Sequence, residues 1–382
     1  MKIGIPQEIM TGEGRIALTP EACKVLFDEG NMVFVQHDAG ANCGYSDQDF
    51  LDSGAEVVAS AQQLYEEAQL IVKVKQPLEQ DIHYLRKQHI VFSYLHLAAD
   101  VELIDVLCDI GLCAIPFESI SGDDGSLPLL APMSQVAGRI AMIRGASLLF
   151  RNRGGRGVLL GGIDGADVGR VVVLGAGVAG SHAIEVAAAL GAQVDVLDID
   201  ETKLQALKQK IPSIETHLST PEIVETLCVQ ADLVIGAVLL AGRRAPVVLR
   251  QSVVKQMPAG SVIVDIAIDQ GGCVEGIRPT SSEELCYTEN GVIHSAVPNM
   301  PATVARTSSQ SLSSAVLPYV STLAASKLAS SELDELKQAV DSPRSQALSR
   351  AMAICHGGVV DDVLRQELQA FKTLSDEADS MV

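Results

Sequence analysis

The stretch RVVVLGAGVAGSHAIEVAAALGAQVDVLDID, residues 170–200, constrains the fold more than any other part of this chain. An apolar, β-branched run ends in Gly175-Ala-Gly177-Val-Ala-Gly180. A helix-forming run opens at once, and a second apolar run ends at Asp198. That order describes a strand, a glycine turn, a helix and a second parallel strand. Gly175 permits the tight turn. Gly177 exposes the backbone N–H groups of a helix N-terminus, where Val178 and Ala179 follow and where the helix dipole favours an anion. Gly180 permits close packing of helix on strand. Asp198, 18 residues past Gly180, is placed to accept hydrogen bonds from a ribose diol. The pattern therefore predicts a dinucleotide site. Asp198, with Asp200 beside it, would repel a 2′-phosphate, which favours NAD over NADP. The competing reading is a glycine turn in a doubly wound sheet that holds no nucleotide.

The rest of the chain repeats the alternation. KIGI, MVFVQ, LIVKVK, IVFSYL and LCAIPFE read as strands in the first 117 residues, separated by helical stretches such as 100–110. The run TPEACKVLFDEG reads as a helix, with Thr19 as N-cap, Pro20 in the first turn and Gly30 past the end. A second set, RVVVLG, QVDVLD, DLVIGAV and SVIVDIAI, starts at Arg170. Long helices are expected over 133–152 and from about Thr307, and a helical tail over 331–370. A chain of 382 residues exceeds one core of ordinary size. The expectation is α/β: two doubly wound Rossmann-like domains, the NAD domain (131–305) inserted into a substrate domain (1–130 and 306–382), joined by the two long helices.

Composition narrows the partners. The formal charge of −20 argues against nucleic acid and anionic membranes. No apolar run reaches the roughly 18 residues of a membrane span, and the N-terminal sequence lacks a signal-peptide pattern, so a cytoplasmic protein is expected. The eight cysteines are scattered, with no C-x-x-C pair and no histidine at zinc spacing. They read as reduced core thiols, and no metal is expected.

Four residues near the expected carboxyl ends of strands could do chemistry. These are Arg15 in GEGRIALTP, Lys75 in QLIVKVKQP, His96 in FSYLHLAAD and Asp269 in VIVDIAIDQGG. Each also has a structural reading. Arg15 could pair with Glu8 or Glu13 at the surface, and Lys75 could snorkel to water. His96 could be a hydrogen-bonded core histidine, and Asp269 a turn acid. Read as a strand, 69–77 puts Lys73 and Lys75 on one face, and Lys73 is assigned to structure. Together the four offer two cations for a small anion, an imidazole for proton transfer and a carboxylate beside the cofactor.

Over nearly its whole length the sequence resembles the NAD-dependent L-alanine dehydrogenases, a family related to the NAD-binding subunit of proton-translocating transhydrogenase. The resemblance rests on RIALTP, VKVKQP, YLHLAAD, DGSLPLLAPMSQVAGR, GGRGVLLGG, VVVLGAGVAG, ADLVIGAVL, SVIVDIAIDQGGC and VPNMPATVARTSS. It implies that Arg15 and Lys75 hold the substrate carboxylate and carbonyl, that His96 is the general acid/base, and that Asp269 positions ammonia or water. Tyr94, Leu130 and Met133 would line the methyl pocket, with Asn299 also at the substrate. Ser134 would contact the cofactor phosphates, and Lys203 and Ser219 the adenosine. Val238, Leu239, Arg278, the segment Ile266-Ala267-Ile268-Asp269 and the segment Val297-Pro298-Asn299-Met300 would complete the cofactor site. Pro298, one of Ala302 and Thr303, and Ala305 depart from the family pattern, in the loop that flanks the nicotinamide contacts.

The implied reaction is reversible oxidative deamination of L-alanine to pyruvate and ammonium, in a homohexamer whose domains close about hinges near 130 and 305. Three other readings remain open at this point: a transhydrogenase-type subunit, an amino-acid or opine dehydrogenase with a larger substrate, and an NAD-binding module without turnover.

Overall fold

The computed structural model describes residues 1–239, 244–281, 283–326, 342–366 and 368. The chain forms two compact units, Met1–Pro132 with Val304–Val382, and Met133–Thr303. Each is built on its own mainly parallel sheet.

In the first unit the strands are β1 (Lys2–Ile5), β2 (Met32–Gln36), β3 (Glu56–Val58), β4 (Leu70–Val72), β5 (Ile90–Ser93) and β6 (Cys113–Pro116). They lie in the order β6-β5-β4-β1-β2-β3, all parallel. β4, β5 and β6 are buried along their whole length, as expected of parallel strands covered on both faces. The order reverses between β1 and β4, and connections leaving a sheet at such a switch point form a ligand crevice. Arg15 lies in the connection after β1 and Lys75 in the one after β4.

The second unit repeats the topology. Its strands are β7 (Arg170–Leu174), β8 (Gln193–Asp198), β9 (Glu215–Leu218), β10 (Leu233–Gly236), β11 (Val262–Asp265), β12 (Tyr287–Glu289) and β13 (Val292–Ser295). The order is β12-β13-β11-β10-β7-β8-β9, antiparallel only at β12–β13. Its switch point lies between β7 and β10, where the glycine turn leaves the sheet. A buried cluster including Val171, Val173, Val196, Ile235 and Val264 fills one face.

Several expectations need correction. The strand over 69–77 stops at Val72, so Lys73 and Lys75 do not share a strand face. Thr19 occupies the N-cap of helix Pro20–Asp28, but its hydroxyl makes no cap bond; it lies 3.4 Å from Ser313 Oγ. The first long helix runs Ala131–Leu148. It stops because the carbonyls of Leu149 and Phe150 accept the N–H groups of Gly157 (2.8 Å) and Gly155 (3.1 Å) as the chain folds back. The second long helix is Ala305–Ala325. The tail is not simply helical. After helix Pro343–Ala351 come β14 (Ile354–Cys355) and β15 (Gly358–Val359), a hairpin that joins the first sheet antiparallel to β6. Residues 331–341, 367, 369 and 370 of the expected tail helix lie outside the described residues.

Candidate active site

The helix Ala305–Ala325 fixes the loop that carries Arg15. Its serines 308, 309 and 313 are buried. Ser309 Oγ accepts the N–H of Ile16 at 2.9 Å, and Ser313 Oγ accepts the N–H of Thr19 at 3.0 Å. The serine-rich stretch of this helix thus satisfies backbone donors that a buried loop would otherwise strand. Arg15 itself is buried, and Nε and Nη2 donate to the Glu13 carboxylate at 2.7 and 2.6 Å. The expected surface pairing with Glu8 or Glu13 is therefore corrected: the partner is Glu13, and the pair is buried, which fixes the plane of the guanidinium.

Lys73 and Lys75 separate cleanly. Lys73 is 1% exposed, with Nζ 3.1 Å from Asp81 and 3.6 Å from Glu8. Burial works against its charge, and the two carboxylates outweigh it, so its pKa is raised. Glu8 also accepts the N–H groups of Val74 (2.6 Å) and Lys75 (3.4 Å). One buried carboxylate thereby holds the turn after β4 and presents Lys75 from it.

His96 follows β5 in a left-handed conformation, φ 51°, ψ 35°. The Glu118 carboxylate, on the turn after β6, accepts the N–H of His96 at 2.6 Å and of Leu95 at 3.2 Å. The Tyr94 ring stacks on the His96 ring at 6.2 Å, and its hydroxyl donates to the Leu129 carbonyl at 2.5 Å. The His96 pKa is pushed down to about 4, by burial first and then by the charges of Lys75 and Arg15. The cations are the part of this shift that a bound anion would cancel. Burial raises the Glu118 pKa, against the pull of the backbone N–H bonds and of Lys75. Arg15, Lys75, Tyr94, His96 and Glu118 thus form one electrostatically coupled group in the first unit. Leu130 is half-buried just past Leu129.

The second unit carries the other candidates. Gly175 has φ +105°, and a Cβ there would lie 2.5 Å from the Ala237 carbonyl oxygen. A Cβ on Gly180 would come within 1.9 Å of the Gly175 oxygen, while one on Gly177 would meet nothing within 4 Å. Two of the three glycines are thus required by packing, and the third leaves the helix N-terminus of Val178–Ala189 open. Val178 is exposed and Ala179 half-buried. Gly138, in helix Ala131–Leu148, brings that helix so close that a Cβ would lie 2.0 Å from the Ala179 oxygen. Ser134 is one turn before Gly138 on the same helix, and Met133, buried, precedes it. Asp198 Oδ2 accepts the N–H of Ala176 at 2.6 Å, tying the end of β8 to the glycine turn. Asp200 is the N-cap of helix Glu201–Lys210, with the exposed Lys203 ammonium 3.7 Å away. Ser219 follows β9, its N–H donating to the Asp198 carbonyl at 2.9 Å.

Asp269 sits exposed on the turn Ile266–Gln270 after β11 and accepts the N–H of Asn299 at 3.1 Å. Asn299, at φ 54°, follows the exposed Pro298. Val297, Met300, Ala267 and Ile268 are buried, and Ile266 is half-buried. Their side chains serve the core. Val238 is half-buried and Leu239 is exposed after β10. The Arg278 guanidinium lies 3.9 Å over the Tyr287 ring, whose hydroxyl accepts the Arg278 N–H at 3.1 Å.

The expectation that Lys75, His96 and Asp269 end strands is corrected in a regular way. They stand three residues past Val72, three past Ser93 and four past Asp265. Each is on a turn held by a carboxylate: the buried Glu8 and Asp265 and the half-buried Glu118, with Asp265 accepting the N–H groups of Ala267 (2.9 Å) and Cys273 (2.8 Å). Sequence reasoning missed Glu8, Glu13 and Glu118 as functional supports. Glu118 had the same signal as the others, a polar residue just past an apolar run.

Two family models, "Alanine dehydrogenase/PNT, N-terminal domain" and "Alanine dehydrogenase/PNT, C-terminal domain", match residues 4–137 and 141–359. The chain belongs to the alanine dehydrogenase/PNT family. Among curated members, the alanine dehydrogenase of Halomonas elongata is 44% identical over 85% of this chain and 88% of that protein. That of Mycolicibacterium smegmatis is 45% identical with the same coverage. A solved L-alanine dehydrogenase superposes with a TM-score of 0.91 at 42% identity, covering 97% of this chain and 99% of the other. The transhydrogenase from Sinorhizobium meliloti shares the fold, with a TM-score of 0.80 at 24% identity over 95% of this chain. Among the described residues of this family member, no helix is long and apolar enough to cross a membrane.

Proposed function

We propose that this chain is an NAD-dependent alanine dehydrogenase, catalysing reversible oxidative deamination of L-alanine to pyruvate and ammonium. The observation that carries the reading is the coupling of Arg15, Lys75 and His96: burial first, and then the two cations, depress the basicity of the imidazole beside them. A small carboxylate is the ligand that such a pair of cations accepts.

The residues of the second unit fit NAD. The glycine turn leaves a helix N-terminus open at Gly177, and a carboxylate closes the end of β8. The backbone N–H groups from Val178 to Gly180 would hold a pyrophosphate, and Asp198 a ribose diol. Ser134, Lys203, Ser219, Val238, Leu239, Arg278 and the 266–269 and 297–300 segments make up the rest of the proposed contacts. NAD, when bound, takes the hydride from the alanine Cα.

In this reading Arg15 and Lys75 hold the substrate carboxylate and the carbonyl or imino end. Tyr94, Leu130 and Met133 limit the side chain to about a methyl group. Asp269 and Asn299 orient the water that adds to the iminium carbon. His96, neutral at physiological pH, takes the proton from that water as the carbinolamine forms and collapses to pyruvate and ammonia. In reverse the same imidazole returns it. A cytoplasmic homohexamer belongs to the same proposal, and sedimentation would test the assembly.

The test is the NADH absorbance band with purified protein, NAD or NADP, and a panel of amino acids at alkaline pH. Reduction with L-alanine and NAD supports the reading. Activity only with a larger amino acid would move the substrate assignment, and NAD binding with no reduction would overturn the enzyme reading.

A further inference from the structure

The carboxyl-terminal hairpin brings together three groups that lie far apart in the sequence. Ile354 pairs with Ala114 across the antiparallel contact of β14 with β6. That register sets Cys355 opposite Cys113, and their Sγ atoms are 2.9 Å apart. The hairpin turns on His356 and Gly357, at φ 51° and 79°. Asparagine, aspartate or glycine is the usual occupant of such a turn, so a histidine there invites a functional reading. Its ring nitrogen and the two sulfurs all lie within 4.8 Å of one another. Both cysteines are buried, and the histidine is exposed. None of the eight cysteines is in a disulfide.

We propose that Cys113, Cys355 and His356 form a binding site for a thiophilic divalent cation of the zinc class. Two thiolates and one imidazole supply three tetrahedral ligands, and the solvent side of His356 leaves the fourth position to water. Zinc–sulfur bonds of about 2.3 Å would set the sulfurs roughly 3.8 Å apart, so binding spreads them by about 1 Å. The two-residue strand β14 belongs to the short hairpin that ends the sheet, outside the long parallel strands, and can make that adjustment. The charge balances by proton release: a divalent cation replaces two thiol protons. Cys113 opens β6, whereas Glu118 follows its other end, so the cation would lock the hairpin to the sheet and leave the catalytic turns untouched.

The test uses the full chain, stripped with a chelator and titrated with Co²⁺. One equivalent should give thiolate-to-cobalt charge-transfer absorption and tetrahedral visible bands. Cys355→Ser should abolish the charge-transfer band, and His356→Ala, a surface change on the turn, should weaken binding about tenfold or more. Alanine oxidation should be unchanged in both variants, with circular dichroism confirming that Cys355→Ser folds. The proposal is overturned if saturating Co²⁺ gives no thiolate band, or if the band survives Cys355→Ser. It is also overturned if thiol titration of the denatured, unreduced protein finds two fewer than the eight thiols of the sequence, because a disulfide cannot ligate.

Discussion

The main-chain N–H of His96 donates to the Glu118 carboxylate at 2.6 Å, and that bond holds His96 at φ 51°. Left-handed backbone is uncommon for a residue other than glycine, and it persists where the surroundings enforce it. Glu118→Ala strands the N–H groups of Leu95 and His96 and releases the turn. The part-buried Leu95 donor costs up to about 1–3 kcal/mol when stranded, and the water-exposed His96 donor less. Urea denaturation should show a loss of that order, and turnover should fall further than stability accounts for. Glu118→Gln keeps an acceptor oxygen and should recover part of both.

The low pKa of His96 has a consequence for pH profiles. Burial is its first cause and the charges of Lys75 and Arg15 follow. In the free enzyme the imidazole is neutral down to about pH 4, so kcat/KM for alanine should keep its base form through the weakly acidic range. Removing a cation, as in Lys75→Met, should move the acid limb of the residual activity upward toward the ordinary histidine value. An acid limb that stays in place would detach His96 from Lys75. The stability sign follows from proton counting. Below the ordinary histidine pKa, near 6.5, the unfolded chain binds a proton that folded His96 refuses. This residue therefore contributes a loss of stability as pH falls from about 6.5 toward 4, and none above it.

Lys73 and Lys75, two residues apart, should fail in opposite ways. Lys73→Met leaves Glu8 and Asp81 buried with their shared cation gone. Breaking a buried pair of this kind costs about 3–5 kcal/mol, so thermal denaturation should show a large drop. Lys75→Ala should leave the melting temperature nearly unchanged, raise KM for alanine and cut kcat. Equal destabilisation by both changes would count against the division of labour between them.

What the sequence showed and what it hid divides on the same physics. Buried parallel strands contain unbroken apolar runs such as Val171–Leu174 and Ile90–Phe92, which made both sheets legible. β9, the half-exposed Glu215–Leu218 at a sheet edge, carries no such run, and neither do the two-residue strands β14 and β15. Their place is set by pairing partners distant in sequence. Asn290-Gly291, with both φ values positive, marks the turn between β12 and β13, a local signal that the apolar pattern overshadowed. Arg15, Lys75, His96 and Asp269 stood out as polar residues beside apolar runs. Of their carboxylate supports, Glu118 carried the same local signal, but what Glu8 and Glu118 hold was hidden, because they reach their partners only through the fold, across 66 and 22 residues.

The glycine turn separates packing from ligand access, and two single substitutions distinguish them. Gly180→Ala would place its Cβ 1.9 Å from the Gly175 carbonyl oxygen, with backbone on both sides of the contact. Neither side can yield without moving the helix Val178–Ala189 off β7, so the variant should lose at least the roughly 1–3 kcal/mol usual for overpacking. Gly177→Ala meets nothing within 4 Å and has φ −70°, a conformation any residue adopts. It should fold with a melting temperature close to that of the parent. The added methyl stands in the open space at the helix N-terminus, where the proposed pyrophosphate must approach the backbone. Isothermal titration should therefore show NAD affinity falling by at least about tenfold, a loss of ~1.4 kcal/mol. A Gly177→Ala variant that melts normally and binds NAD as tightly as the parent would move the pyrophosphate away from this turn.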